Sequence, residues 1–416
     1  MESRRVFLGR LAAAAVMAPG LLHRQLLAET TAAVHAASMW IYPWDLVDEG
    51  YDQVLPLLHE HGLTSISLAT AYHAGKFLSP HNPQHKVVFL EDGAVIFQPK
   101  QQLYGSVTPI VHSLVAAGHD LREARIQTQR HEMELRSWVV CCHNTPLGMA
   151  HPGLVARTVF GDPLYHTLCP SHNEVRRYLR ALVRDISSYE VDLIELEALQ
   201  FQGYTHGFHH EKEGIALTPA ARFLLGLCFC DACILRARGA AYDLSALRTF
   251  TRKTLDEYFT DPGAAGARYD GIESIPAELL EPLLTWRAGV IRSLLEELQE
   301  NAGEVPLRQM MSVEASARRL VSVDPAGSAH ITGGVLALGY VRDGAALERP
   351  LAGMQSLVGD SELTVGFQVG LPESGGKTEF LDRMRVARAH GVTNFNFYNY
   401  GLIPQNNLAW ITQSLR

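Results

Sequence analysis

The feature that most constrains this 416-residue chain is the alternation of eight short apolar stretches with helical patterns. The stretches are Met39 to Tyr42, Ser65 to Thr70, Arg136 to Cys142, Asp192 to Leu199, Leu307 to Val313, Ala329 to Leu338, Leu363 to Val369 and Asn394 to Tyr398. Helical patterns fall between most of them, such as Asn173 to Ser187 (opened by Pro170-Ser171), Ala288 to Asn301, Lys377 to His390 and Pro404 to Leu415. Strands that alternate with helices form parallel units, because a parallel neighbour needs a crossover long enough to hold a helix. Eight such units predict an α/β fold, a (β/α)8 TIM barrel over residues 38–416. A composition of 47% hydrophobic residues supplies a core of that size.

Two insertions are expected. Lys86 to Leu90 and Ala94 to Phe97 flank Asp92-Gly93, the signature of a β-hairpin after strand two. Residues 200–285 form a long excursion after strand four. There is no internal repeat and no low-complexity linker.

The N-terminus carries Ser3-Arg4-Arg5-Val6-Phe7-Leu8 ahead of a short apolar run ending at Met17. Paired arginines before such a run are the address of the twin-arginine (Tat) export pathway, and the run is too short to span a bilayer. Residues 1–37 are therefore expected to be a Tat signal peptide and short linker. The export machinery becomes a partner, and the mature protein is expected to be periplasmic or secreted, off the membrane. The formal charge of −8, with no basic patch, argues against a nucleic-acid partner.

In Val191-Asp192-Leu193-Ile194-Glu195-Leu196-Glu197, two glutamates two residues apart share one face of a strand. Buried carboxylates are costly unless paired, hydrogen-bonded or used in chemistry, so Glu197 is the expected proton donor. Glu195, one pleat deeper, is expected to orient it or to pair with an arginine. Barrel active sites lie at the C-terminal strand ends. There the sequence places Trp40 and Tyr42, Tyr72 and His73, His143 and Asn144, Glu314, Gln368 and Glu373, and Asn396 and Tyr398. Aromatic faces with amide, imidazole and carboxyl groups suit a polyhydroxylated ring. Glu373 is the expected second carboxylate, with Glu195 or Glu314 in reserve.

Cys228-Phe229-Cys230-Asp231-Ala232-Cys233 has metal-ligand spacing, with a fourth sulfur available from Cys169, Cys141 or Cys142. It is open to a structural zinc, a disulfide or plain buried thiols. His206 and His209, in the run after strand four, are candidates for a substrate cleft, a metal site or an exposed loop. The glycines lack the order of a dinucleotide loop, so no organic cofactor is expected.

These residues resemble a family. A glutamate closing strand four, followed by C-x-C-x-x-C, is similar to the retaining glycoside hydrolase clan. The likeness is strongest to family 42 β-galactosidases and to related uncharacterised glycosyl hydrolases, and it is specific from about residue 136 to 235. It implies an acid/base at Glu197 and zinc at the three cysteines Cys228, Cys230 and Cys233, with Cys169 taken as the fourth ligand. The sequence departs from the pattern in two places: Leu196 stands before Glu197 where the family has asparagine, and strand seven ends without a carboxylate. Three functions remain open: an exported glycosidase acting on an oligo- or polysaccharide, a divalent-metal sugar isomerase or epimerase using Glu195 or Glu197, Glu314, His143 and a histidine of the 206–210 run, and a non-catalytic carbohydrate-binding barrel.

Overall fold

A computed structural model describes residues 33–205 and 210–416. The expected signal segment up to residue 32, and His206 and His209, lie outside the described residues. Eight strands form the barrel: β1 (Ala36–Ile41), β2 (Ser65–Ala71), β3 (Glu134–Val140), β4 (Leu193–Glu197), β5 (Leu307–Ser312), β6 (Gly334–Leu338), β7 (Glu362–Gln368) and β8 (Asn394–Tyr398). Each pairs in parallel with its sequence neighbour, and β1 pairs with both β2 and β8, which closes the ring.

The alternation along each strand sorts side chains into two cores. Outward-facing Ile66, Leu68, Leu135, Ile194, Leu196 and Phe395 pack under the helices. The helix Asn173–Ser187 shows why this works. Val175, Tyr178, Leu179, Leu182 and Ile186 recur at helical spacing and are buried, while the His172 side chain caps its first turn by accepting from the Glu174 amide. Inside the ring, Trp40, Tyr42, Ala69, Trp138, Met310 and Leu336 form a separate cluster that rises toward the mouth.

Several boundaries differ from the sequence reading: β1 begins at Ala36, inside the segment expected as signal and linker, and the helix expected from Ala288 begins at Ala277. Residues before 334 do not extend β6; they form the helix Pro325–Thr332, ended by Gly333 in the left-handed region. The hairpin after β2 is present with a different partner: Val87–Phe89 pairs with Lys76–Leu78, and Ala94–Val95 instead lies antiparallel at Ala71 of β2. The Asp92-Gly93 turn does not close a hairpin because it docks elsewhere. The Gly93 carbonyl accepts from Asn144 Nδ2 at 3.1 Å. A side chain on Gly93 would collide with that amide, 2.4 Å from Oδ1. The paired strands lay Phe77 against Tyr42, ring centroids 5.0 Å apart, so the hairpin covers part of the mouth.

The excursion after β4 holds the helices Pro219–Leu225, Asp231–Gly239, Ser245–Thr260 and Pro262–Arg268 before the long helix Ala277–Ala302. It has its own apolar cluster, which includes Leu224, Leu255, Tyr258, Leu283 and four cysteines.

One glycine of the barrel wall is fixed by the interior. A Cβ on Gly366 of β7 would sit 2.6 Å from Cη2 of Trp40. That indole is also bound to Glu195 and cannot swing away cheaply. Gly366→Ala should therefore lower unfolding stability by roughly 1–3 kcal/mol through overpacking, read by chemical denaturation. An unchanged midpoint would show that the indole is free to move.

Candidate active site

The two glutamates of β4 point into the barrel, and their surroundings diverge within one pleat. Glu195 is fully enclosed. Its Oε2 accepts from Trp40 Nε1 at 2.7 Å, and its Oε1 from Ser67 Oγ at 2.7 Å and Asn396 Nδ2 at 2.8 Å. Burial pushes its pKa from 4.5 up to about 7, against the pull of the Arg136 charge and the three donors. Glu195 thus serves as the anchor of a polar interior, bonded to Trp40, Ser67 and Asn396 rather than ion-paired with an arginine.

Glu197 stands one step nearer the mouth and is partly accessible. Trp138 of β3 donates to its Oε2 at 2.6 Å. Burial raises its pKa, while the charge of His73 and the indole bond oppose that rise. A carboxyl group raised by burial, held by one oxygen and open to the mouth is equipped to deliver a proton.

Around it the mouth is aromatic. The Tyr42 hydroxyl lies 3.1 Å from that of Tyr398 and donates to that of Tyr72 at 3.3 Å. Burial pushes all three phenols up, so they act as neutral hydrogen-bonding groups. His73 stacks on Tyr72 with centroids 4.4 Å apart, and on His143 at 4.6 Å. Burial raises the Tyr398 pKa most, and the charges of Glu197 and Glu373 add to that rise.

The expected substrate contacts divide into two groups. Tyr72, His73, Gln368 and Tyr398 are partly accessible at the mouth. Trp40, Tyr42 and Asn396 are completely buried and committed to other side chains, so they support the mouth rather than stack on a sugar. Asn144 is likewise structural: its Oδ1 accepts from the Leu147 amide at 3.0 Å as a helix cap. His143 is buried beneath His73.

Of the reserve carboxylates, Glu314 is exposed at the start of the helix Ala315–Val321, where its charge acts on Arg318. Glu373 is exposed on the turn Pro372–Ser374, with Gln368 Nε2 3.5 Å from its Oε1. Among the described residues, the four cysteines are the only set of three or more His, Cys, Asp or Glu side chains within metal-ligand reach. Among the described residues, the set expected for a metal-dependent barrel (Glu195 or Glu197, with Glu314, His143 and a histidine of the 206–210 run) does not come together: donors enclose Glu195 and Glu314 faces solvent, while His206 and His209 lie outside the described residues.

Sequence reading missed three contributors. Trp138 lies two residues after Arg136 and shares its face of β3, so alternation was the available signal. Tyr340 follows β6, 6.1 Å from the Tyr398 ring. Arg383, nearly fully buried, donates to the carbonyls of Gln368, Ser374, Val341 and Arg342 and so clamps both ends of the turn that carries Glu373. No local pattern announces it.

The cysteines gather as expected, with Cys169 as the fourth rather than Cys141 or Cys142. All four are buried, and their sulfurs lie within 4.8 Å of one another. Cys169 Sγ is 3.5 Å from Cys233 Sγ, 3.6 Å from Cys230 Sγ and 3.9 Å from Cys228 Sγ. Zinc–sulfur bonds of about 2.3 Å in a tetrahedron give sulfur–sulfur edges of about 3.8 Å; a disulfide would need about 2.05 Å. Amide hydrogens of Arg157 and Cys233 point at Cys228 Sγ and Cys230 Sγ. The donor set therefore fits one tetrahedral ion tying the loop after β3 to the insertion after β4.

The fold and the strand-four carboxylate define a parallel (β/α)8 barrel with an acidic mouth. No protein-family model matches the chain, and none of the curated proteins compared with it matches in sequence. In structure it is similar to a β-galactosidase from Bacillus circulans sp. alkalophilus, with TM-score 0.52 and 12% identity over 88% of this chain and 50% of that one. It is also similar to a β-galactosidase from the psychrophilic Marinomonas ef1, with TM-score 0.52 and 8% identity over 92% of this chain and 59% of that one. The chain thus spans little more than half the length of these structures, and the likeness establishes the barrel fold.

Glu195 also sets a pH dependence. Its folded pKa, about 7, exceeds the ordinary 4.5, so the folded state holds the proton longer. The corresponding stability is fully present below pH 4.5 and is lost as pH rises through about 7. The change is on the order of 3 kcal/mol. Glu195→Gln, which cannot ionise, should show a flatter stability profile between about pH 4.5 and about pH 7. A slope as steep as in the parent would assign the effect to another group.

Proposed function

We propose that this chain is an exported glycoside hydrolase acting on an oligo- or polysaccharide, with Glu197 as the acid/base. The observation that carries this reading is the contrast on β4. Glu197 is raised by burial, held at one oxygen by Trp138 and open to the mouth, while Glu195 is locked below it. The names of the two neighbours, both β-galactosidases, support a glycosidase kind of function, and a family 42-like relationship is part of the proposal.

In this mechanism Glu197 protonates the leaving glycosidic oxygen. Tyr72, His73, Gln368 and Tyr398 hold the sugar. Glu373 is the second carboxylate, carried on the turn that Arg383 clamps. A Glu197–Glu373 separation of about 5 Å in the sugar complex corresponds to a nucleophile, and about 6.5–9.5 Å to a base that activates water. Zinc at Cys169, Cys228, Cys230 and Cys233 is structural in this reading, and no organic cofactor takes part. Tat export through the paired arginines, with release to the periplasm or beyond, belongs to the same proposal.

A second reading has its own support. Gln368, an amide, occupies the end of β7 facing the mouth, which suits a barrel that binds carbohydrate without cleaving it.

Glu197→Gln separates the two. The hydrolase reading expects turnover of an aryl glycoside to fall by roughly 10²–10⁴-fold with folding and saccharide binding retained. Binding without turnover in the parent protein would favour the second reading. Cys230→Ser should lower the melting temperature more than it lowers activity per folded molecule. A loss of catalysis with unchanged melting would contradict a structural ion.

A further inference from the structure

The long helix Ala277–Ala302 carries an arginine where an apolar residue would be expected. Arg287 is only 4% exposed. Its guanidinium lies over the Phe201 ring, 4.2 Å from the centroid. Its neighbours Phe201 and Trp286 belong to the apolar cluster that contains all four cysteines. A buried cation needs a counter-charge, and among the described residues no carboxylate forms an ion pair with Arg287. Burial pulls its pKa down, and the groups that push back are Cys233, Cys228, Cys169 and Tyr242. Three of those four are the sulfurs of the cluster.

A second arginine reaches the cluster through Ser171. Arg236 Nε donates to the Ser171 carbonyl at 3.2 Å and Nη2 to Asn173 Oδ1 at 3.0 Å. The Ser171 hydroxyl in turn lies 3.4 Å from Cys233 Sγ. Burial and the charge of Arg176 pull the Arg236 pKa down; Glu297 pushes back, followed by Cys169 and Cys233.

Four neutral thiols would leave Arg287 buried against nothing of opposite sign. Four thiolates around a divalent ion form a dianionic centre, each cysteine having released its proton to solvent. Two guanidinium groups balance that charge. We infer that Arg287, seconded by Arg236, is the counter-ion of a metal–tetrathiolate centre and sets how tightly the metal is held. The inference rests on the zinc reading of the cysteines and adds to it the groups that make a charged centre tolerable inside an apolar cluster.

The test is metal retention in the whole protein, without reference to activity. Zinc affinity is measured by chelator competition, and the site is also loaded with cobalt to follow the thiolate-to-metal absorption band. Arg287→Met keeps the apolar bulk and removes the charge, and Arg287→Lys keeps the charge. Charge and orientation from groups around a metal's ligands typically alter affinity by roughly 10- to 100-fold, so Arg287→Met should lose zinc affinity on that scale and Arg287→Lys should recover most of it. Arg236→Met should show the same loss to a smaller degree, and its half-buried position makes it the safer variant to fold. Unchanged zinc affinity in Arg287→Met, or in Arg236→Met where Arg287→Met does not fold, overturns the inference. A parent protein that takes up neither zinc nor cobalt in the same titration defeats the metal reading itself, and the counter-ion with it.

Discussion

Much of the barrel is organised around the cost of burying one carboxylate. Glu195 sits where no water reaches it, and an uncompensated charge there would cost far more than any single apolar contact returns. Compensation comes from Trp40 of β1, Ser67 of β2 and Asn396 of β8, residues that only a closed ring brings together. The same bonds tie the first, second and last strands to the fourth across the interior. Ring closure and carboxylate burial therefore depend on each other. Gly366 extends the constraint to β7, because the indole that reaches Glu195 needs the space that a side chain there would fill.

Glu197 inherits its properties from that arrangement. Trp40 and Trp138 lie with ring centroids 6.0 Å apart, one indole turned to each glutamate. Glu195 receives three donors on two oxygens and is held as an anchor. Glu197 receives the indole of Trp138 and keeps a raised proton affinity beside the phenols of Tyr72 and Tyr398. One strand thus supplies a support and a reactive candidate two residues apart, and what separates their roles is the number of donors each receives and its depth.

The sequence was most legible where periodicity is local. All eight strands were visible as apolar runs, and the helix Asn173–Ser187 was bounded to the residue. The start of β6 was obscured because Ala329 and Ile331 read as strand, whereas Pro325 opens a helix and Gly333 ends it. The hairpin was misregistered because Asp-Gly signals a turn without saying what the turn docks against, and here it docks against Asn144. The same limit applies to the site. Residue type and strand position found Glu195, Glu197, Tyr72, His73 and Tyr398. They could not separate the buried Trp40, Tyr42 and Asn396 from mouth residues, since depth along a barrel strand depends on the stagger of all eight. Arg383 serves four carbonyls on two loops, a role set wholly by tertiary structure.

The cysteine cluster answers a different need. The insertion has its own apolar core, distinct from the clusters of the barrel wall and interior. Cys169 follows the strand Pro163–Leu168 of the loop after β3, while Cys228, Cys230 and Cys233 belong to the excursion after β4. Joining the four sulfurs fixes the excursion to the loop beside it, and both leave the barrel at the rim that carries His143 and Glu197. An ion held by the four sulfurs would add charge to a cluster made of Leu224, Leu255, Trp286 and similar side chains. Arg287 and Arg236 would be the groups that offset that charge. The barrel interior and the cysteine cluster thus pose one problem, a polar group inside an apolar setting: hydrogen-bond donors from distant strands surround the buried carboxylate, and buried arginines are the proposed counterpart at the sulfurs.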